Sequence, residues 1–256
     1  MALNPLHQFE VAPIHNLVVA GFDLSITNQA LWTGIATATI IAFFLLGISR
    51  MTLVPGRMQA FVEITFEFIQ NLTQKTAGRD ALVFFPLILT IFLFIASLNL
   101  IGMIPHSFTA TSQITTTAYM GAMVFLLVVG VGVYKQGMHF FAMFLPKGTP
   151  WWLIPLMVPL EIISFLVRPA TLAVRLAANM VAGHVLLKVF AAFCIMLLGF
   201  TLDGGGSLNY LMAPTAVVPL LVLVAITALE VFVALLQAYI FTVLTLVYLN
   251  MSIHGH

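Results

Sequence analysis

Long hydrophobic runs separated by short polar stretches dominate the chain. Residues 30–49, 81–104, 118–134 and 215–249 are each almost wholly apolar, and about 20 such residues make a helix that crosses a hydrocarbon core of about 30 Å. The runs lack the period-2 alternation of a membrane barrel, so helices are predicted, the form that satisfies backbone polar groups within one segment. A longer run, residues 150–200, would measure about 75 Å as a single helix. Residues 51–79 differ, mixing Phe61, Ile64, Phe68 and Leu72 with Glu63, Glu67, Gln70, Asn71 and Lys75. That mixture predicts an amphipathic helix lying on a membrane surface.

Charge placement turns these runs into a topology. The nine basic residues are Arg50, Arg57, Lys75, Arg79, Lys135, Lys147, Arg168, Arg175 and Lys188. Those up to Lys147 fall in or beside two regions, 50–80 and 135–149, while the segment 1–28 and the loops 105–117 and 201–214 hold none. The positive-inside rule puts the first two regions inside and the other three outside. Residues 150–200 must then cross an odd number of times, and three crossings do not fit, so one steeply tilted or partly in-plane helix is predicted. Its partner, 215–249, is also over-long, and Asp203-Gly204-Gly205-Gly206-Ser207 between them reads as a flexible outer turn. The expected fold is all-α: a single membrane domain over 1–256 with five spans and one inner-surface helix, the last two spans long, tilted and antiparallel. The amino terminus is expected outside and the carboxyl terminus inside. Residues 1–28 carry no signal-peptide pattern, so Met1 is expected to be the mature start.

Composition narrows the chemistry. Charged residues are 7% and hydrophobic residues 62% of the 256, against roughly 25% charged in soluble domains. A formal charge of +1 without any basic cluster excludes nucleic acid as a partner, because phosphate binding needs concentrated cations. Cys194 is the one cysteine, so no internal disulfide is possible. No Walker string occurs and no cofactor is expected. His7, His15, His106, His139, His254 and His256 sit near predicted ends or loops without metal-site spacing, and read as interfacial.

The remaining ionisable groups lie inside the apolar runs. Arg168, Arg175 and His184 stand in 150–200 and Glu230 in 215–249, with Glu161 and Lys188 nearer the ends of the first run. A guanidinium at mid-bilayer costs about 2.5 to 3.5 kcal/mol on insertion scales, so Arg175 is either half of a structural salt bridge or functional. At about 100° per residue, Glu161 and Arg168 share the azimuth of Arg175 within about 40°, Asn179 lies on that side, and His184 points the opposite way. Glu230 and Gln237 share a face of the next helix. Folding the hairpin near residue 207 sets His184 level with Glu230 and Arg175 level with Gln237. A histidine beside a carboxylate can pass protons near neutral pH, whereas an arginine keeps its charge and can only hold an anion or repel cations. The small residues Ala170, Ala173, Ala177, Ala178, Ala182 and Gly183 flank the arginine, and suit either tight packing within the chain or a closely docked second subunit.

The run from Arg168 to His184, with its Arg175-Leu176-x-x-Asn179-Met180-x-x-Gly183-His184 core, resembles the signature helix of the subunit a family of F-type ATP synthases. Glu230 with Gln237, and Asn99-Leu100-Ile101-Gly102-Met103-Ile104-Pro105, resemble that family's other marked stretches, so the likeness covers essentially the whole chain. Histidine on the first helix and glutamate on the second is similar to the mitochondrial and alphaproteobacterial form. The resemblance implies a proton-conducting stator in a bacterial or mitochondrial inner membrane, working with a ring of c subunits, b-type peripheral-stalk subunits and the other ATP synthase subunits. It implies proton uptake from outside past Asn99, His184, Glu230 and Gln237 to a ring carboxylate, release inward past Glu161, and Arg175, with Asn179 beside it, between the two half-channels. The chain itself would then hold no nucleotide site.

Two other classes fit less of the sequence. A secondary transporter with a mid-membrane ionisable site calls for internal repeats, and an intramembrane enzyme for a nucleophile with its base, or a metal cluster; neither pattern occurs. The topology is tested with single cysteines in a Cys194→Ala background. Those in loops 105–117 and 201–214 should react with an impermeant thiol reagent from outside, and those beside Lys75 or Lys147 only from inside; labelling of both loops from inside would refute the five-span order.

Overall fold

Thr27 starts the first long helix. Its backbone is extended and its hydroxyl accepts the N–H of Ala30 at 3.2 Å, meeting one of the donors that a helix start leaves unpaired. Helix α1 runs Asn28–Ile48 and α2 Arg57–Ala77. Gly78 ends α2 at a φ of +79°, a conformation that glycine adopts without penalty. A 3₁₀ turn, Arg79–Phe84, leads into α3, Phe85–Gly102. A second such turn, Ala110–Ser112, precedes α4, Ile114–Gln136, and two long helices follow: α5, Ile154–Asp203, and α6, Val217–His254. This computed structural model describes residues 10–49 except 16, 17, 20, 21 and 24; residues 52 and 54–104; 107–137; 151–203; and 217–254. The Gly-rich stretch after Asp203, the segment around Lys147 and the end of the Asn99–Pro105 stretch lie outside these residues.

Five helices are long and apolar enough to cross a membrane: α1, α3 with its leading turn, α4, α5 and α6. The fold is therefore all-α and polytopic. With 50 and 38 residues, α5 and α6 are about 75 and about 57 Å long, well beyond the hydrocarbon thickness. They run antiparallel, because Gly183 of α5 lies against Glu230 of α6 while Arg168, lower on α5, reaches Tyr248 and Met251 further along α6. The segment before α1 adds two short antiparallel ladders that the hydrophobic pattern did not announce: β1 (Pro13–His15) with β4 (Ile26–Thr27), and β2 (Val18–Val19) with β3 (Phe22–Asp23).

A stripe at helical spacing on α6, running through Ala234, Ala238, Phe241, Thr245 and Leu249, is buried and seats α6 among α3, α4 and α5. Ile95, Val124, Phe165, Leu172 and Leu176 close around its upper part, and Ile69, Ala81, Phe85 and Ile88 around its lower part. Helix α2 packs through Val62, Ile69, Thr73 and Ala77, while Phe61, Ile64 and Phe68 stay exposed. Its apolar surface thus splits between the bundle and whatever surrounds it. Hydroxyls inside the helices, including Thr73, Thr90, Thr242 and Thr245, donate to the carbonyl four residues earlier at 2.8 to 2.9 Å, so they carry no unmet bond into an apolar setting.

The two ends of the bundle differ. At one, the side chain of Gln29 donates to Thr116, and the start of α1 meets the start of α4 beside the 107–113 turn. At the other, Gln136 donates to the Ser252 carbonyl at 2.8 Å and Ser252 donates to the Val128 carbonyl at 2.8 Å, pinning the end of α6 to α4. Arg57, Lys75, Arg79 and Lys135 all belong to this second end.

Helices α4 and α5 meet at Gly121, where an added Cβ would stand 2.9 Å from the Pro169 carbonyl oxygen and 3.5 Å from the Ala173 Cβ. Backbone cannot yield as a side chain can. Gly121→Val should cost about 1 to 3 kcal/mol, typical of overpacking, read as a lower midpoint of thermal unfolding in detergent, while Gly130→Val, facing open space, should leave it unchanged.

Candidate functional site

The buried stripe of α6 carries two polar side chains along with its apolar ones. Glu230 is 7% exposed and Gln237 3%, brought to one face by their spacing of seven residues. Both carboxylate oxygens of Glu230 and the Nε2 of Gln237 are buried without a hydrogen-bond partner among the described residues. Two further orphans come from other elements: Oδ1 of Asn99 on α3 and Oγ1 of Thr111 in the 3₁₀ turn before α4. Asn99 is anchored by its other atom, Nδ2, which donates to the Ala234 carbonyl of α6 at 3.1 Å. Buried polar groups are almost always hydrogen-bonded, so these atoms mark where, among the described residues, the bundle does not meet its own polar demand.

Glu230 fits between α5 and α6 because Gly183 has no side chain. A Cβ at 183 would collide with the Glu230 carboxylate. His184, the next residue, is half-buried, and its Nε2 lies 2.9 Å from the Thr109 hydroxyl. His184 and Glu230 are thus near neighbours in depth but share no hydrogen bond. The turn that brings Thr109 to His184 also brings it to α3, where its hydroxyl donates to the Gly102 carbonyl at 3.1 Å.

Arg175 lies on another side of α5. It is exposed and forms no hydrogen bond or ion pair among the described residues, although Leu172, Ala173, Leu176 and Ala177 around it are buried. Along the helix it is about 12 Å from Gly183, eight residues at 1.5 Å each. Gln237 is not bonded to it. The small residues divide by exposure: Ala173 and Ala177 pack inward, whereas Ala170, Ala178 and Ala182 are exposed. Ala178, Ala182, Leu186 and Val189 share the exposed side of Arg175, so its guanidinium stands among apolar residues there. Asn179 is half-buried one turn further along. Towards the basic end, Arg168 meets Glu161 at 3.9 Å, stands 5.7 Å above the ring of Tyr248, and points Nη1 at the Met251 sulfur. Glu161 and Arg168 are therefore a loose pair, both about one-third exposed.

Sequence reasoning did not find Thr109 and Thr111. The signal was present as a charge-free run dense in hydroxyls, Ser107-Phe108-Thr109-Ala110-Thr111-Ser112. Hydroxyls in a loop are usual, and only the fold shows that Thr109 and Thr111, 3% and 0% exposed, sit inside the bundle. Among the described residues, no group of His, Cys, Asp and Glu is placed to hold a metal ion.

Among the described residues, five long apolar helices enclose a carboxyl without a hydrogen-bond partner and display a guanidinium, which defines an all-α polytopic membrane protein with ionisable groups inside its bundle. The family described as ATP synthase A chain matches residues 30–250. ATP synthase subunit a of Agrobacterium fabrum is 45% identical over 255 residues, covering 100% of this chain and 99% of the relative. The subunits a of Rhodopseudomonas palustris and Rhodospirillum rubrum are each 42% identical, over 100% and 99% of this chain and the same shares of their own lengths. The chain belongs to the ATP synthase subunit a family.

The contact at Gly183 yields a functional rather than a stability prediction, since the far end of a glutamate moves cheaply. Gly183→Ala should leave assembly intact but shift the Glu230 carboxylate and slow proton-driven ATP synthesis by on the order of tenfold, about 1.4 kcal/mol. Gly34→Ala, with open space around its Cβ, should not change the rate; equal rates for both variants would show that the close fit at 183 is incidental.

Proposed function

We propose that this chain is the proton-conducting stator subunit in the membrane sector of an F-type ATP synthase, delivering protons to and from the carboxylates of a rotating ring of c subunits. The observation that carries this reading is the division of α5. On one side, Gly183 meets the buried carboxyl of Glu230, unpartnered among the described residues, with His184 the next residue along; about 12 Å along the axis, a guanidinium that pairs with no described residue is displayed among small and apolar residues.

Each part has a task. Asn99, Thr111, Glu230 and Gln237 present orphaned polar atoms near the 107–113 turn, a setting that suits water and protons, since polar atoms buried without protein partners are commonly met by ordered water. This cluster is the outer half-channel. His184 and Glu230 hand protons along it, using the one side chain that ordinarily titrates near neutral pH and a carboxyl beside it. The exposed side of α5 holding Ala178 and Ala182 admits a helix of the ring at close range. Arg175 meets the ring carboxylate there. Its charge is permanent, so it draws the proton off an arriving carboxyl and bars direct passage between the half-channels. Asn179 lines this contact. Glu161, held loosely by Arg168, stands on the path of release at the basic end.

The positive-inside rule puts the end with Arg57, Lys75, Arg79 and Lys135 inside, which sets the amino terminus outside and the carboxyl terminus inside an energy-converting inner membrane. The b-type subunits of the peripheral stalk and the remaining ATP synthase subunits complete the assembly.

Arg175 provides the test. Arg175→Ala should abolish coupled ATP synthesis while the complex still assembles, because the residue is exposed and no internal packing is lost. Arg175→Lys should fail as well, since an ammonium lacks the planar fork for a bidentate carboxylate contact and sheds its proton more readily on desolvation. Proton leak and ATP synthesis are measured in inverted vesicles under a fixed pH gradient and potential; near wild-type synthesis by the alanine variant would refute the role given to Arg175.

A further inference from the structure

We infer that Thr109 is a positioning residue for His184, holding the imidazole through a hydrogen bond at Nε2 while the ring takes up a proton. This rests on the proton-uptake reading above and adds the group that orients the ring. A threonine hydroxyl has one proton to donate and can accept through its oxygen. Its two partners are the Gly102 carbonyl at 3.1 Å and His184 Nε2 at 2.9 Å. Gly102 is the last residue of α3, and carbonyls in the final turn of a helix have no N–H of their own helix to accept from. Ser107 also reaches that carbonyl, at 3.0 Å, but has closer acceptors in Ile101 and Ile104, both at 2.7 Å. The Thr109 hydroxyl accepts the Nε2–H of a ring protonated there while donating to Gly102, or donates to a bare Nε2, and it holds the His184 ring in both cases.

A hydroxyl can both donate and accept, so Thr109 keeps its hydrogen bond to Nε2 in both the neutral and the cationic ring. The ring need not turn between the two states. The charged and titratable groups around it are Lys188, one turn on along α5, and Glu230 of α6 beside Gly183; α3 contributes the uncharged Asn99 and the turn the uncharged Thr109 and Thr111.

Thr109 also has a packing role, because its methyl lies against Gly102, where a Cβ would be only 2.8 Å from it. Two substitutions separate the roles: Thr109→Val keeps the shape and removes the hydroxyl, and Thr109→Ser keeps the hydroxyl and removes the methyl. The whole complex is reconstituted in vesicles, and the rate of coupled proton uptake is recorded against the pH of the compartment facing the 107–113 turn, with His184→Ala alongside. Thr109→Val should fall on the order of tenfold, within the range ordinarily lost with a proton-transfer group, and its pH profile should move away from wild type. Thr109→Ser should keep the wild-type profile and a rate within about threefold. The inference is overturned if Thr109→Val matches wild type in rate and profile while His184→Ala is slow, or if Thr109→Ser falls as far as Thr109→Val. A wild-type rate in His184→Ala would instead overturn the uptake reading itself, and the role of Thr109 with it.

Discussion

Hydrocarbon offers no hydrogen bonds, and nearly everything in this fold follows from that. Each unmet polar group in such surroundings costs several kcal/mol. The chain responds at every scale. Backbone groups close on themselves in long helices, threonines bond back to their own helix, and Ser252 and Gln136 spend their side chains tying α6 to α4. Arg168 shares its charge among a carboxylate, a ring and a sulfur. Against that thrift, the orphaned atoms of Asn99, Thr111, Glu230 and Gln237 are the exception among the described residues. The outer half-channel proposed above supplies water and protons to meet them.

The architecture was written in the hydrophobic runs with little ambiguity. Lengths near 20 residues and a period other than 2 fix helices in lipid, and the excess length of the last two runs follows from counting residues. The depth relation between the His184 region and Glu230 was likewise legible, because folding two successive helices back antiparallel converts sequence number into height; residue 183 does lie against residue 230. Less could be read of azimuth. All of Ala170, Ala173, Ala177, Ala178 and Ala182 look alike in sequence, yet two face the core and three do not. Apolar periodicity is weak where lipid and protein interior are equally greasy. On α2, for the same reason, Phe61, Ile64 and Phe68 are exposed while Val62 and Ile69 make the packing contacts.

Thr109 eluded sequence reasoning for a different cause. Loops carry no periodicity, and a hydroxyl becomes informative only once its partners are known. What promotes this one is the fold of the 107–113 turn, which tucks inward between the end of α3 and the middle of α5 instead of lying over the surface, as connecting segments usually do.

The glycine at 183 and the carboxylate at 230 occupy what is in effect one shared volume. Neither position can drift alone. A relative that acquires a methyl group at the first displaces the acid at the second, and recovers its placement by shortening it, aspartate for glutamate. Substitutions at this pair are therefore expected to travel together through lineages, so that the spacing between the two helices is inherited as a joint property of two positions.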